Sequence, residues 1–152
     1  MRIVALIPFW SNYKPLKESL TCRPLVEVSG KSLINRTIEI INRIKLIDKT
    51  VIFTPNSEIF SYIDDSMNCE IVQRDGGLNS DKTSIEDIIN EFLKISDADI
   101  VVLIHPKSPF IRSKTIEECV EKVLIDGFDS AFVANSIKKQ VWYKGKPLNY
   151  LI

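Results

Sequence analysis

The chain has 152 residues, with 45% hydrophobic and 26% charged positions, enough for one domain with its own core; this excludes a disordered, collagen-like or coiled-coil description of the whole. Twenty basic residues balance twenty acidic ones, so the basic excess of a dedicated nucleic-acid binder is missing. The three cysteines, Cys22, Cys69 and Cys119, are odd in number and lack CxxC spacing, which argues for reduced thiols and against a disulfide framework or structural zinc. The N-terminal apolar run is too short for a secretory h-region, and no stretch is long enough to span a bilayer. A cytoplasmic protein with neither a membrane nor a nucleic acid as partner is expected.

Residues 3–7 form a near-continuous apolar run stopped by Pro8, the pattern of a strand buried on both faces. An irregular polar stretch over 11–29 follows. The segment 32–45 carries Leu33, Ile34, Ile38, Ile41 and Ile44 at helical spacing. Lys49–Thr54 reads as a second strand, stopped by Pro55, after which Asn56 or Ser57 caps a short helix through Tyr62. Glu70–Gln73 is a third, short strand. Asp81-Lys82-Thr83-Ser84 opens a helix carrying Ile85, Ile88, Ile89, Phe92 and Leu93. Residues 99–104 are a fourth strand, stopped by Pro106, and 113–125 a helix capped by Ser113, with Glu117 and Glu118 in its first turns and Gly127 at its end. A fifth strand is predicted over 130–135. The tail over 142–152 contains a Lys-Gly-Lys-Pro turn.

This β-α-β-α rhythm predicts an open, largely parallel α/β sheet with helices on both faces. Ligands of such sheets bind beyond the carboxyl ends of the strands, which selects the loops after Pro8, Thr54, Gln73 and Ile104.

The first loop runs Pro8-Phe9-Trp10-Ser11-Asn12-Tyr13-Lys14-Pro15-Leu16-Lys17 and on to Arg23-Pro24-Leu25. Lys14, Lys17 and Arg23 are of the right type to contact phosphate oxygens, with Ser11 and Asn12 as hydrogen-bond donors. The same residues also suit an ordinary solvated loop, and the loop is neither a P-loop nor a dinucleotide fingerprint. The Gly30-Lys31-Ser32-Leu33-Ile34 segment places a glycine before a helix start. Arg74-Asp75-Gly76-Gly77-Leu78-Asn79-Ser80-Asp81-Lys82-Thr83-Ser84 joins a strand end to a helix N-terminus. It reads either as an anion site, with Arg74 as a fixed cation, or as a connecting turn with a cap. The loop His105-Pro106-Lys107-Ser108-Pro109-Phe110-Ile111-Arg112 is stiffened by two prolines. It holds the sole histidine, for which holding substrate fits better than general-base catalysis. Trp142 and Tyr143 read as core or interface, and Asp64-Asp65 as a solvated helix end.

In this order the segments resemble the acylneuraminate cytidylyltransferases, the CMP–sialic acid synthetase family and its relatives acting on other nonulosonic acids. The family's GKPLI is matched by Gly30-Lys31-Ser32-Leu33-Ile34, followed by Thr37-Ile38-Glu39. STDS is matched by Thr54-Pro55-Asn56-Ser57-Glu58-Ile59, RPxxLAxD by Arg74 through Asp81, and QPTSPLR by His105 through Arg112 with one extra residue. The departures lie in the first loop, which lacks the family's glycine, and at His105 and Lys107, which replace Gln and Thr. Lys14 stands for the first loop lysine, and Arg23 for the lysine that contacts the triphosphate.

The resemblance implies a three-layer Rossmann-like nucleotide-diphospho-sugar transferase fold with a mostly parallel sheet, incomplete at the C-terminus, in a single domain over 1–152. It implies transfer of CMP from CTP to an acidic nonulosonic sugar with release of pyrophosphate, for cell-surface glycans such as lipopolysaccharide or capsule. A nucleotidyltransferase for another sugar, or a non-catalytic or fragmentary nucleotide-binding relative, are the alternatives. Arg23 and Lys14 would be the catalytic pair. Pro8, Ser11 and Asn12 would join them around the nucleotide, with Arg74, Asp81 and Thr83 on its other side. His105, Ser108 and Arg112 would face the sugar acid. Mg2+ is the implied cofactor; the family's metal aspartates lie in a C-terminal motif that this chain stops before reaching. A homodimer is implied for a full-length protein.

Overall fold

The computed structural model describes residues 1–9, 23–79, 83–136 and 141–148, with backbone alone for Arg23 and Asn79. Four parallel strands, β1 (Ile3–Pro8), β4 (Lys49–Thr54), β5 (Glu70–Gln73) and β6 (Ile100–Leu103), form one sheet in the order β5-β4-β1-β6. β1 is central, and all six of its residues are buried, as its unbroken apolar run requires. Its side chains alternate between the two faces. Ala5 and Ile7 meet Ile34, Ile38 and Ile41 of α1 (Leu33–Ile41) and Ile116 of α3 (Ser113–Leu124). Val4 and Leu6 meet Ile88 and Phe92 of α2 (Ile85–Leu93). Phe92 also sets its ring edge-on to Phe53, with centroids 5.6 Å apart. Helices therefore cover both faces, giving three layers; each fully buried Ile or Phe stabilises this packing by about 1.5–3 kcal/mol.

Two antiparallel hairpins stand apart from the sheet. β2 (Glu27–Val28) pairs with β3 (Lys31–Ser32), and β7 (Trp142–Tyr143) with β8 (Lys146–Pro147). Each is joined by two residues at positive φ, Ser29 (52°) with Gly30 (73°) and Lys144 (48°) with Gly145 (74°), the backbone twist that two-residue hairpins favour. The Lys-Gly-Lys-Pro turn of the tail is the second of these.

Several boundaries differ from the sequence expectation. α1 stops at Ile41, not at 45; the chain continues through turns in which Ile44 N–H reaches Ile41 O at 2.8 Å. α2 begins at Ile85 with Ser84 as its cap, and α3 begins at Ser113 with Arg112 at the cap position and no side-chain cap bond. Glu117 and Glu118 accordingly lie beyond the first turn of α3. Residues 130–135 are not a strand: they join no ladder and are exposed throughout. Trp142 and Tyr143 are 53% and 59% exposed, so they are not core residues.

Candidate nucleotide site at the carboxyl edge of the sheet

From β1 the chain crosses to β4 and then β5 on one side, and from β5 back across to β6 on the other. The point where this direction reverses lies between β1 and β6, which is where open α/β sheets form their ligand crevice. Leu6 pairs with Leu103, so Pro8 and His105 each lie two residues further along at the same edge. Pro8 pairs with Phe53 and Thr54 with Gln73. All four expected loops therefore leave from one edge, with about 14 Å across the three strand spacings from β5 to β6.

At the β6 end, Ile104 N–H reaches Leu6 O at 3.0 Å, extending the ladder to the threshold of the loop. The His105 carbonyl then accepts from Lys107 N–H at 2.7 Å, a tight turn that fixes the backbone before Pro109. His105 is partly buried. Desolvation, and secondarily the charge of Lys107, hold its imidazole below the ordinary histidine range, which keeps it neutral at pH 7. Ser108 and Arg112 are exposed on the same loop. Ser108 O accepts from Ile111 N–H at 3.2 Å, and Arg112 O from Thr115 N–H at 3.0 Å. Their side chains stand on a loop ordered by backbone bonds.

At the β5 end, Arg74 continues the ladder through its N–H to Thr54 O at 2.8 Å. Its side chain is only 5% exposed. One guanidinium nitrogen, Nη2, donates to Phe9 O at 3.3 Å; the other, Nη1, donates to Leu78 O at 3.1 Å and Asp75 O at 3.4 Å. Burial lowers its pKa. Asp75 Oδ1 accepts from Gly77 N–H at 3.0 Å, shaping the one-turn 3-10 segment Gly76–Asn79. Thr83, partly buried, precedes the α2 cap. At that cap Ser84 Oγ accepts from Asp87 N–H at 3.1 Å, and Asp87 Oδ2 accepts from Ser84 N–H at 2.9 Å. With Glu86 and Asp87 in the first turn, the positive end of α2 is already complemented by its own carboxylates.

The other motif segments serve the frame. Thr54 is fully buried, its hydroxyl accepting from Asn56 N–H at 3.1 Å, and Asn56 Oδ1 caps the Ser57–Tyr62 turn by accepting from Glu58 N–H at 3.0 Å. Ser32 Oγ caps α1 through Asn35 N–H at 3.3 Å. Lys31 pairs with Glu39 at 2.7 Å, and Arg43 pairs with the same carboxylate at 2.7 Å. Hydrogen bonds from Lys31, then from Arg43, hold the Glu39 carboxyl below its usual range. Asp64 is tied back to α1: Asn35 Nδ2 donates to Asp64 Oδ1 and to Tyr62 O, both at 3.0 Å. Together Gly30, Lys31, Ser32, Asn35, Tyr62 and Asp64 border a cleft of about 250 Å3 that local sequence patterns do not signal, because it joins residues from two separate turns.

Pro8, buried at the end of β1, has no N–H to offer. Ser11, Asn12, Lys14 and Asp81 lie outside the described residues, and Arg23 is described only as the start of the turn Arg23–Leu25. The structure thus brings Pro8, Arg74, Thr83, His105, Ser108 and Arg112 to loops of the sheet edge and its neighbouring helix starts. Among the described residues, no three His, Cys, Asp or Glu side chains come together as metal donors. No helix among them is long and apolar enough to cross a membrane.

A family model described as Cytidylyltransferase matches residues 19–147. The 3-deoxy-manno-octulosonate cytidylyltransferase of Chlamydia felis (strain Fe/C-56) is 28% identical over 104 residues, covering 68% of this chain and 39% of that protein. The N-acylneuraminate cytidylyltransferase of Escherichia coli O18:K1:H7 (strain RS218 / NMEC) is 31% identical over 121 residues, covering 79% of this chain and 28% of its own length. Among solved structures, a CMP:2-keto-3-deoxy-manno-octonic acid synthetase complexed with CTP superposes with a TM-score of 0.63 at 18% identity, covering 84% of this chain and 49% of that one. A Mycobacterium tuberculosis H37Rv protein solved as a manganese complex superposes with a TM-score of 0.54 at 11% identity, covering 80% and 59% of the two chains. The likeness to these structures is one of fold, a Rossmann-like α/β sheet. The chain spans well under half the length of the curated relatives it matches.

Proposed function

Since the chain belongs to the cytidylyltransferase family, we propose that it serves the transfer of CMP from CTP to an acidic nonulosonic sugar, with release of pyrophosphate. The observation that carries the substrate class is that curated relatives of the chain are named for sugar acids, an octulosonate and a neuraminate. In this reaction a hydroxyl of the sugar attacks the α-phosphorus in line, one P–O bond forms, and the bond to the β-phosphate oxygen breaks. The protein's task is to position the reactants and to neutralise the phosphate charge.

In this reading Lys14 and Arg23 act on the triphosphate, Ser11 and Asn12 donate to it, and the 74–84 segment with Asp81 and Thr83 borders the nucleotide. The His105–Arg112 loop, across the β1/β6 crevice, takes the sugar acid: Arg112 supplies charge for the carboxylate, and Ser108 and the neutral His105 supply hydrogen bonds. A cytoplasmic location, a homodimer and a role in cell-surface glycan synthesis belong to the same proposal, as does Mg2+ as the family's cofactor.

The test is pyrophosphate release with CTP, ATP, GTP or UTP against 3-deoxy-manno-octulosonate and N-acetylneuraminate, with Mg2+ present. Release is expected with CTP and one of the sugar acids. Calorimetric binding of CTP without release from either acid would instead make the chain a nucleotide-binding relative. Lys14→Ala and Arg23→Ala should each weaken CTP binding by about 1.5–3 kcal/mol, the range for a charge-assisted hydrogen bond, which is roughly ten- to more than a hundredfold in affinity. Unchanged affinity in both variants would remove these residues from the triphosphate.

A further inference from the structure

We propose that Arg74 is a positioning residue: its buried guanidinium clamps the root of the first loop to the root of the glycine turn, and it does not hold the triphosphate. The placement of its donors carries this. Nη2 reaches the carbonyl of Phe9 at 3.3 Å, and Phe9 is the last described residue before the 10–22 segment. Nη1 reaches the carbonyls of Leu78 and Asp75, which bracket the Gly76–Gly77 turn. A single cation thus joins two stretches 65 residues apart in sequence, bridging across the end of β4, which lies between β5 and β1 in the sheet.

Both ends of the clamp are themselves anchored. Phe9 is 1% exposed, and its N–H donates to Phe53 O at 2.9 Å. Arg74 N–H donates to Thr54 O at 2.8 Å. At 5% exposure the guanidinium is largely removed from solvent, and the three carbonyl dipoles compensate its charge there. These carbonyl contacts on two sides fix the backbone at Phe9, where the first loop begins, and at Asp75 and Leu78 around the glycine turn. A planar fork suits this task and a compact ammonium does not.

The proposal depends on the cytidylyltransferase reading only for its ligand arm. The test compares the wild-type chain with R74K and R74A, first by amide hydrogen exchange without any ligand. Exchange at residues 6–9 and 75–79 should rise at least tenfold in R74A and by a smaller factor in R74K, while α1 and α3 keep their protection. Calorimetry with CTP, CMP and cytidine should then show one common fold-loss, because a misplaced loop weakens the site for all three. Unchanged exchange in both segments, with a loss confined to CTP, would overturn the proposal in favour of a direct triphosphate contact. If R74A loses protection throughout, R74K decides, since it retains the charge. If the wild-type chain binds none of the nucleotides, the functional reading fails, while the exchange result still decides the role of Arg74.

Discussion

His105 shows how one side chain's surroundings set its chemistry. Burial, and then the neighbouring Lys107 charge, disfavour its protonated form, so at neutral pH it is a hydrogen-bonding imidazole and not a counter-ion. Under the proposed function, a sugar carboxylate would draw its charge partner from the exposed Arg112 on the same loop. The shift also has a consequence for stability. The unfolded chain binds this proton more readily than the folded one, so stability rises with pH through the window between the two pKa values. The contribution is complete above the ordinary value of 6.5 and is lost as pH falls below it. The midpoint of thermal unfolding of the wild type should therefore drop between pH 7.5 and pH 5.5 by more than that of His105→Gln. Because the imidazole is only partly buried, the difference should be modest. Superimposable pH profiles for the two proteins would mean that His105 is as easily protonated in the fold as out of it.

At the scale of elements, α1 is held to the rest of the edge by Asn35. It is 5% exposed, its amide nitrogen donates to Tyr62 O and Asp64 Oδ1, and its amide oxygen accepts from Asp64 N–H at 3.2 Å. Asn35→Ala leaves these backbone groups without their partner inside a packed turn and should cost about 1–3 kcal/mol, read as a lower urea midpoint at constant m-value. A loss below about 0.5 kcal/mol would show that water replaces the amide freely. Elements whose signal is local were legible in the sequence. β1, β4, β5 and β6 fall within one residue of expectation, because short apolar or β-branched runs bounded by prolines or polar residues suit strands whether they are buried throughout, as β1 is, or only partly, as β5 and β6 are. The end of α1 was misplaced because Ile44 keeps the helical spacing and is buried at 3% exposure although the helix has stopped. The 130–135 run has strand composition but joins no ladder among the described residues, and a strand requires a ladder as well as β-branched residues. In the site, the sheet edge and its four loops were legible from the chain's rhythm. The clamp by Arg74 was not, since its acceptor on Phe9 belongs to a residue that only the fold brings near.

At the scale of the molecule, apolar surface is distributed unevenly. β1 is buried at every residue, whereas all four residues of β6, at the other end of the ladder from β5, are only partly buried. Ile125, Phe128 and Phe132 are 71%, 57% and 86% exposed, and Val133 is 49% exposed. Such a concentration of large apolar groups in nine residues exceeds the scattered exposure ordinary for a soluble surface. The chain in isolation should therefore bind a hydrophobic dye such as ANS and self-associate with rising concentration. Phe132→Asp, made at the most exposed of these positions, should lower dye fluorescence and raise the concentration at which association begins. It should leave the unfolding free energy within about 0.5 kcal/mol of wild type, as expected for a surface change away from packed groups. Sedimentation velocity across a concentration series reads the association, and urea unfolding reads the stability. If Phe132→Asp instead destabilised the monomer by more than about 1 kcal/mol, the 125–133 segment would be packed in solution, and the strand expected over 130–135 would have to be sought there.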